Sequence, residues 1–273
     1  MVAHSTGGTR KPSGADCRRQ HLRPPSCYKG TLGTAILRLF NLTAACTGAN
    51  EKTLRKAGTP FQAVHLHPSS HAGYYLGAEP IALKVLFAPD SGKLLGAQAV
   101  GHDGADKRID VLATALKAGM TVNDLAELEL AYAPPYGSAK DPVNLVGMAA
   151  QNVLVRDVGL TQWNEIASLD PSRTLLLDVR RPDERAKGFI SGSIHIPLDE
   201  IRTHLDELPR DRELVVYCQS GQRSYYACRL LTQHGFRARN LTGAYRTWKS
   251  ALAGGYSQTV ESPPQHPASR QSF

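Results

Sequence analysis

The sequence is short of paired cysteines, aromatic residues and long apolar runs, and each shortage excludes a class of protein. Its five cysteines form no Cys-x-x-Cys pair and no Cys/His cluster with zinc spacing; they stand at positions 17, 27, 46, 218 and 228. A reduced, cytoplasmic chain without a structural metal is therefore expected. The longest apolar run, residues 31–49, is interrupted by Arg38 and Asn41. No membrane span is expected from it.

The charge balance is basic, but the pattern does not indicate a nucleic-acid partner. The chain carries 32 Lys and Arg against 24 Asp and Glu, a formal net charge of +8. Aromatic residues make up only 7% of the chain and are not interleaved with a basic run. No nucleic acid is therefore expected as a partner. The basic N-terminus lacks an apolar segment, so a secretory signal is not expected either.

Composition divides the 273 residues into two domains with two irregular ends. Residues 1–27 and 253–273 are dominated by glycine, proline, serine and polar side chains, so we predict a disordered N-terminal remnant and a disordered tail. The remaining length suits two domains of ordinary size. We place them at 28–155 and 158–252.

The first domain is predicted to be α+β, an antiparallel sheet with helices. Strands are expected from β-rich runs, with a hairpin turn at 89–92; they lie at 35–40, 61–66, 81–87 and 93–100. Helices are expected at 50–57, 105–118, 123–130 and 144–155. Thr47-Gly48 is expected to open the first of these helices, and Thr121 to cap the third.

The second domain alternates strands with helices, which predicts an α/β fold with a small parallel sheet. The expected strands are at 175–180, 193–198, 214–217 and 239–242. Between them, helices are expected at 163–169, 201–208 and 224–233. Catalytic loops in such a sheet lie at the carboxyl ends of the strands. Cys218 stands at one of these ends.

The loop that begins at Cys218 is the main candidate site. It is predicted to connect a buried strand to a helix, and its remaining residues are Gln219, Ser220, Gly221, Gln222, Arg223 and Ser224. Amides at the start of a helix favour an anion and would hold the cysteine as a nucleophilic thiolate. The alternative is that Cys218 is a small buried core residue, as we expect for Cys228.

The second domain resembles the rhodanese family over residues 158 to 252. The resemblance rests on residues 178–180 (Asp-Val-Arg), 192–197 (Gly-Ser-Ile-His-Ile-Pro), the Cys218 loop, and 241–244 (Leu-Thr-Gly-Ala) followed by Trp248. The sequence departs from the family at Phe189, where histidine is frequent. The spacing Cys-x4-Arg from Cys218 to Arg223 is similar to that of the sulfurtransferases, whereas the related phosphatases have Cys-x5-Arg.

This resemblance implies a sulfurtransferase that carries sulfur as a Cys218 persulfide. The thiolate would take sulfur from a small donor and pass it to a thiol or to cyanide. Loop amides and Arg223 would stabilise the anionic sulfur, so residues 219–222 and Ser224 are candidate substrate-binding residues. Asp178 and Arg180, at the end of a neighbouring strand, are candidate members of the same site and are expected to brace it.

The first domain resembles the C-terminal dimerisation domain of FAD-dependent pyridine nucleotide-disulfide oxidoreductases, within the coenzyme A disulfide reductase branch. The motifs are at 28–35 (Tyr-Lys-Gly-Thr-Leu-Gly-Thr-Ala), 95–101 (Leu-Gly-Ala-Gln-Ala-Val-Gly), 107–110 (Lys-Arg-Ile-Asp) and 131–136 (Ala-Tyr-Ala-Pro-Pro-Tyr). The resemblance implies that Tyr74 and Tyr132 reach the reductase site of a partner subunit. Leu76 stands where the family pattern has proline. A packing role is the alternative for both tyrosines.

The flavin and nicotinamide domains of that family are missing from this sequence. No Gly-x-Gly-x-x-Gly fingerprint occurs, and Cys17 does not lie in the family's redox-cysteine motif. FAD and NAD(P)H are thus implied for the full-length family, and no cofactor is expected in this chain alone. A homodimer, or docking to a flavin-domain partner, is the expected assembly. The alternatives to an active enzyme are a non-catalytic dimerisation or sulfur-carrier partner and a truncated, inactive remnant of the oxidoreductase.

Overall fold

The computed structural model describes residues 30–254, so the predicted disordered segments fall outside it except for positions 253 and 254. Two compact units share the described residues, the first ending at Gly159 and the second beginning at Leu160. We call them unit 1 and unit 2. Each carries one five-stranded sheet.

Unit 1 is an antiparallel sheet with helices, as its sequence predicts. Its strand order is β1-β2-β5-β4-β3, and all four neighbouring pairs in this order are antiparallel. The strands are β1 (Ala35–Leu39), β2 (Leu42–Gly48), β3 (Gln62–Leu66), β4 (Ala82–Phe87) and β5 (Leu94–Gly101). Successive residues of a strand point to opposite faces, and both Val85 and Leu86 of β4 are buried, so buried side chains lie on both faces of the sheet. Leu86 belongs to a buried cluster with Leu54 and with Ala63 of β3.

Helices of unit 1 begin and end at residues with recognisable capping chemistry. The helices are α1 (Glu51–Lys56), α2 (Ala105–Ala118), α3 (Val122–Glu127) and α4 (Pro142–Leu154). Thr121 caps α3 in a capping box with Asp124, as predicted, and Gly119 closes α2 with φ 75°. Helix α3 is shorter than expected because Leu128 is already extended.

Strand β2 is the element of unit 1 that the sequence prediction missed. The prediction used Thr47-Gly48 to open a helix, but both residues are the end of β2, and Asn50 is the true N-cap of α1. The segment 42–48 mixes small and β-branched residues without clear alternation. It is strand because it pairs with β1 on one side and β5 on the other.

The backbone of Ala49 passes close to Gly96 in unit 1, and this close approach can be tested by substitution. A Cβ atom at Gly96 would collide with the carbonyl oxygen of Ala49, which cannot rotate away. We expect Gly96→Ala to lower the free energy of unfolding by about 3 kcal/mol, measured by urea unfolding. Gly101→Ala in the same strand is the matched control, since its Cβ would find its nearest neighbours at 3.4 Å. Equal stability of the two variants would contradict this close approach.

Unit 2 is an α/β unit with a largely parallel sheet of order β6-β10-β9-β7-β8. The pairs β8–β7, β7–β9 and β9–β10 are all parallel. Its strands are β6 (Gly159–Thr161), β7 (Thr174–Asp178), β8 (Ile194–His195), β9 (Glu213–Tyr217) and β10 (Ala238–Leu241). Strand β9 lies in the middle and is buried from Leu214 onward. The carboxyl ends of β7 and β9 therefore lie side by side.

Several elements of unit 2 differ from the sequence prediction, including the helix expected at 163–169, which is a 3-10 helix over Trp163–Ser168. The strand expected at 193–198 is only the two residues of β8. The helix expected at 201–208 is two 3-10 helices, Leu198–Thr203 and Leu205–Glu207, separated at His204. The α-helices are α5 (Pro182–Arg185), α6 (Gln222–Gln233) and α7 (Ala244–Ala253). Of these, only α6 was predicted, because α5 is one turn long and the start of α7 is irregular, with Gly243 before the helix and Ala244 in its first position both at positive φ.

Candidate active site

Cys218 directly follows β9 and opens the loop to α6, as the sequence predicts. Only 1% of the residue is exposed. The Gly221 amide donates a hydrogen bond to its Sγ over 3.1 Å. Gly221 makes this possible because its φ of 108° turns the chain just before α6 begins. An amide and a helix N-terminus directed at one sulfur atom stabilise negative charge there.

Two side chains of α6 complete the surroundings of this sulfur. The Ser224 hydroxyl lies 3.4 Å from Sγ and 3.1 Å from the carbonyl oxygen of Gly221. Arg223 also interacts with Cys218, but both of its terminal nitrogens donate to Glu184, each over 2.7 Å. The bond to Glu184, together with the attraction to Cys218, raises the pKa of Arg223. Arg223 therefore remains a cation shared between the loop and Glu184.

The opposite side of the loop is fixed by the start of α7. Amides of Tyr245 and Arg246 donate to the carbonyl oxygens of Cys218 and Gln219, both over 3.1 Å. Ala244 has φ 51°, a conformation that non-glycine residues rarely adopt, and it aims these amides at the loop. The carbonyl oxygens are thus held on the α7 side, away from the sulfur.

Asp178 and Arg180 lie beneath the loop as a buried ion pair. Neither is exposed, and Arg180 donates to the Asp178 carboxylate through Nε over 2.9 Å and Nη2 over 2.8 Å. Arg180 also lies 4.1 Å from the ring centre of Tyr245 and donates to the Gln219 side chain over 3.4 Å. Burial alone would raise the pKa of Asp178, but the Arg180 bonds and charge outweigh it and lower that pKa. These contacts fit a bracing role.

A pocket of about 300 Å³ lies beside the loop. Its walls combine residues of the loop, of α5 and the segments before and after it, and of α7: Arg180, Glu184, Lys187, Gln219, Tyr245 and Lys249. The sequence prediction missed Glu184, Tyr245 and both lysines. A signal for Glu184 was present, since Pro182 followed by two acidic residues marks a helix start. Its pairing with Arg223, 39 residues away, could not be read from the sequence.

The remaining candidate residues of the loop, Gln222 and Ser220, and the other cysteines differ in exposure and in the contacts of their side chains. The Gln222 side chain is exposed and donates to Tyr226. Ser220 is half-buried within the loop. Cys228 is buried in α6, and burial raises the pKa of its thiol. Cys46, Cys218 and Cys228, the cysteines in the described range, are all unpaired.

Tyr74 and Tyr132 of unit 1 come together although 58 residues separate them. Their hydroxyl oxygens are 3.1 Å apart, and both rings are exposed, at 78% and 48%. The hydrogen bond to Tyr74 raises the pKa of Tyr132. Two exposed hydroxyls that share a hydrogen bond form a polar pair that an incoming group could reach.

The described residues of unit 1 lack the architecture that holds FAD or NAD(P)H. A dinucleotide needs a parallel βαβ unit with a glycine-rich first turn, but unit 1 pairs its strands antiparallel. At 101–104, the sequence's nearest approach to such a turn, the space beside Gly104 is filled by the Arg108 side chain. Within residues 30–254 no group of three His, Cys, Asp or Glu side chains could hold a metal ion. No helix in that same range is long and apolar enough to cross a membrane.

Two protein families match the two units. Residues 34–142 match the pyridine nucleotide-disulphide oxidoreductase dimerisation domain, and residues 162–251 match the rhodanese-like domain. Both resemblances seen in the sequence are thereby confirmed.

Among curated proteins, coenzyme A disulfide reductase of Staphylococcus epidermidis is 47% identical over 124 residues, which are 45% of this chain and 28% of that protein. The enzyme of Staphylococcus haemolyticus is 43% identical over 126 residues, 46% of this chain and 28% of that protein. This chain therefore spans less than a third of these relatives' length.

Two solved structures resemble most of the chain. Reduced Bacillus anthracis CoADR-RHD has 48% identity and a TM-score of 0.84, covering 88% of this chain and 43% of that one. A NAD-dependent persulfide reductase from A. fulgidus has 39% identity and a TM-score of 0.74, covering 82% and 41%. In both, less than half of the known structure has a counterpart here.

Proposed function

We propose that this chain, a coenzyme A disulfide reductase-like protein, transfers sulfur through a persulfide on Cys218. The proposal starts from its two domains, a pyridine nucleotide-disulphide oxidoreductase dimerisation domain and a rhodanese-like domain. The observation that carries the proposal is the Gly221 amide, 3.1 Å from Sγ at the start of α6. Such a donor stabilises the thiolate before the reaction and the anionic persulfide after it.

The proposed reaction is a two-step transfer of one sulfur atom without net oxidation. Cys218 thiolate bonds to the outer sulfur of the donor, and the bond between the donor's two sulfurs breaks. Sulfite leaves from thiosulfate, or a thiolate leaves from a thiol persulfide. A thiol or cyanide then attacks the outer sulfur of the Cys218 persulfide, and Cys218 leaves as thiolate. The burial of Cys218 favours narrow, terminal sulfur atoms as donors.

Within this proposal, the loop residues have separate roles. Gly221, Ser224 and Arg223 stabilise the sulfur. Asp178 and Arg180, at the base of the loop, hold its shape, and Gln219 and Ser220 supply part of its backbone. A reducing, cytoplasmic setting fits a site that must keep Cys218 as a thiol.

We further propose that unit 1 pairs two copies of the chain or docks it to a flavin-bearing partner. The edge strand β1 supports this, since Ile36, Leu37 and Leu39 are each more than half exposed and Phe40 beyond it is 89% exposed. The Tyr74–Tyr132 pair would then face a reductase site that this chain does not contain. FAD and NAD(P)H would belong to that part of the protein.

Turnover with cyanide as acceptor tests the proposal directly. The chain is mixed with thiosulfate or cysteine persulfide, and thiocyanate is measured after subtraction of the reaction without protein. Catalytic thiocyanate formation is expected from at least one donor. A persulfide that forms once and does not turn over would instead support the sulfur-carrier alternative.

Removal of the Arg223 charge is expected to lower the rate by about a hundredfold. In Arg223→Met the anionic sulfur loses its cation, and Glu184 is left near it without its partner. The measurement is kcat/KM for thiocyanate formation. Arg202→Met, an exposed arginine on a 3-10 helix, is the control. If both variants match the unaltered chain, Arg223 has no part in the transfer.

A further inference from the structure

The Arg223–Glu184 pair gives the site an unusual charge. Both Glu184 oxygens accept from Arg223 over 2.7 Å, and one also accepts from the Arg181 amide over 3.0 Å. The Glu184 side chain is only 16% exposed. Its bonds to Arg223, followed by the Arg181 amide, lower the pKa of Glu184, so it remains a carboxylate. The cation expected to stabilise the sulfur is therefore shared with a carboxylate held beside it.

The summed charge of the three groups Cys218, Arg223 and Glu184 then depends on whether Cys218 is ionised. With the thiolate present, Cys218 and Glu184 contribute two negative charges and Arg223 one positive charge, which leaves −1. Thiosulfate brings two further negative charges, whereas a thiol persulfide brings one at most at its sulfur end. Like charges at such short range repel strongly in a partly buried site.

Building on the sulfur transfer proposed above, we propose that Glu184 is a positioning residue that makes the site choose its donor by charge. By holding Arg223, it disfavours the dianion thiosulfate and favours an organic thiol persulfide. A site without this carboxylate would leave Arg223 free to bind the sulfonate end of thiosulfate.

The pocket beside the loop supports the same choice of donor. Glu184 and Gln219 of the loop both line it. Its volume of about 300 Å³ has room for the organic part of a thiol persulfide, which thiosulfate lacks. Lys187 and Lys249 on the same wall suit a negatively charged group on that organic part. The pocket attracts anions away from the sulfur, while Glu184 repels them at the sulfur.

The rate of the first half-reaction with two donors tests the inference. Cysteine persulfide and thiosulfate are each mixed with the chain, and the second-order rate of sulfur addition to Cys218 is followed by mass spectrometry. The unaltered chain is expected to prefer cysteine persulfide. In Glu184→Gln, which keeps the shape and an acceptor oxygen, the rate ratio is expected to shift towards thiosulfate by about tenfold.

Asp183→Asn is the matched control because it removes the same charge from the same helical turn. Asp183 pairs with Arg181 on the surface, whereas the carboxylate that pairs with Arg223 is that of Glu184. Its donor ratio should equal that of the unaltered chain. A shared shift in both variants would mean that general surface charge, and not Glu184, sets the preference, and would overturn the inference.

The remaining outcomes separate this inference from the proposed function. If the unaltered chain takes sulfur from neither donor, the proposed function fails. If it takes sulfur but prefers thiosulfate, or if folded Glu184→Gln keeps the original ratio, only the role of Glu184 is overturned. If Glu184→Gln does not fold, the donor preference of the unaltered chain is measured at increasing salt concentration instead. A preference for cysteine persulfide that weakens with ionic strength supports charge selection, and a constant preference contradicts it.

Discussion

Replacement of Cys218 by alanine is expected to reduce thiocyanate formation by at least about a thousandfold, because in the proposed reaction the Cys218 thiol carries the sulfur between donor and acceptor. The Gly221 amide and the Ser224 hydroxyl both lie within hydrogen-bonding range of this one sulfur. Without it, the loop keeps these two donors but lacks the thiol that is proposed to attack the donor sulfur. The measurement is thiocyanate release with cyanide as acceptor, with the fold checked by circular dichroism.

The matched control is Cys228→Ala, which removes the other cysteine of unit 2. Cys228 is 1% exposed, like Cys218, and burial raises the pKa of its thiol, so it stays protonated. The Cys228→Ala variant should keep its transfer activity, with some loss of stability from the missing core atom. Full activity in Cys218→Ala, or loss only in Cys228→Ala, would show that the nucleophile has been misassigned.

The second large effect is expected from Asp178→Asn, which should lower the free energy of unfolding by about 3–5 kcal/mol. The substitution keeps the shape of the side chain but leaves the buried Arg180 guanidinium without its counter-charge. Arg185, which also donates to Asp178 over 3.1 Å, loses a partner as well. Chemical unfolding of the full chain, followed by tryptophan fluorescence, measures the loss, since both tryptophans lie in unit 2.

Asp183→Asn serves as the control, because Asp183 and Arg181 form an ion pair with the same two-residue spacing on the surface. Their side chains are 57% and 69% exposed, so the loss should stay below about 1 kcal/mol. A loss of equal size in both variants would contradict the bracing role of the buried pair.

The buried Asp178–Arg180 pair also predicts that the free energy of unfolding of unit 2 falls at acid pH. The pKa of Asp178 is lower in the folded chain than in the unfolded chain, although burial alone would raise it, because the Arg180 bonds outweigh burial. Its contribution is therefore complete above the usual pKa of an aspartate, and it is lost as the pH falls through the lowered, folded value. In Asp178→Asn this part of the acid dependence should disappear.

The part of the candidate site that is formed by residues close together in the sequence could be predicted. A β-branched run followed by Cys218, a glycine and a helical pattern specifies a strand, a turn and a helix N-terminus within a dozen residues. The structure has these elements where the pattern predicts them, β9 and α6. Asp178 and Arg180 could also be predicted as site residues, because parallel strands align their carboxyl ends at one edge of the sheet.

What could not be predicted depends on partners that are distant in the sequence. Several carboxylates precede Arg223, and no local pattern indicates that Glu184 is the one that meets it. The Tyr74–Tyr132 hydrogen bond was likewise not predicted, although both tyrosines were singled out. Strand β2 was missed for a similar reason, since its pairing with β1 and β5 outweighs a weak local pattern.

The most direct test of the account is the mass of the Cys218 peptide after the chain has been treated with cysteine persulfide and freed of excess donor. We predict that this peptide gains one sulfur atom, that the Cys228 peptide does not, and that cyanide removes the added sulfur as thiocyanate. A Cys218 peptide without added sulfur, or sulfur found only on another cysteine, would contradict the account.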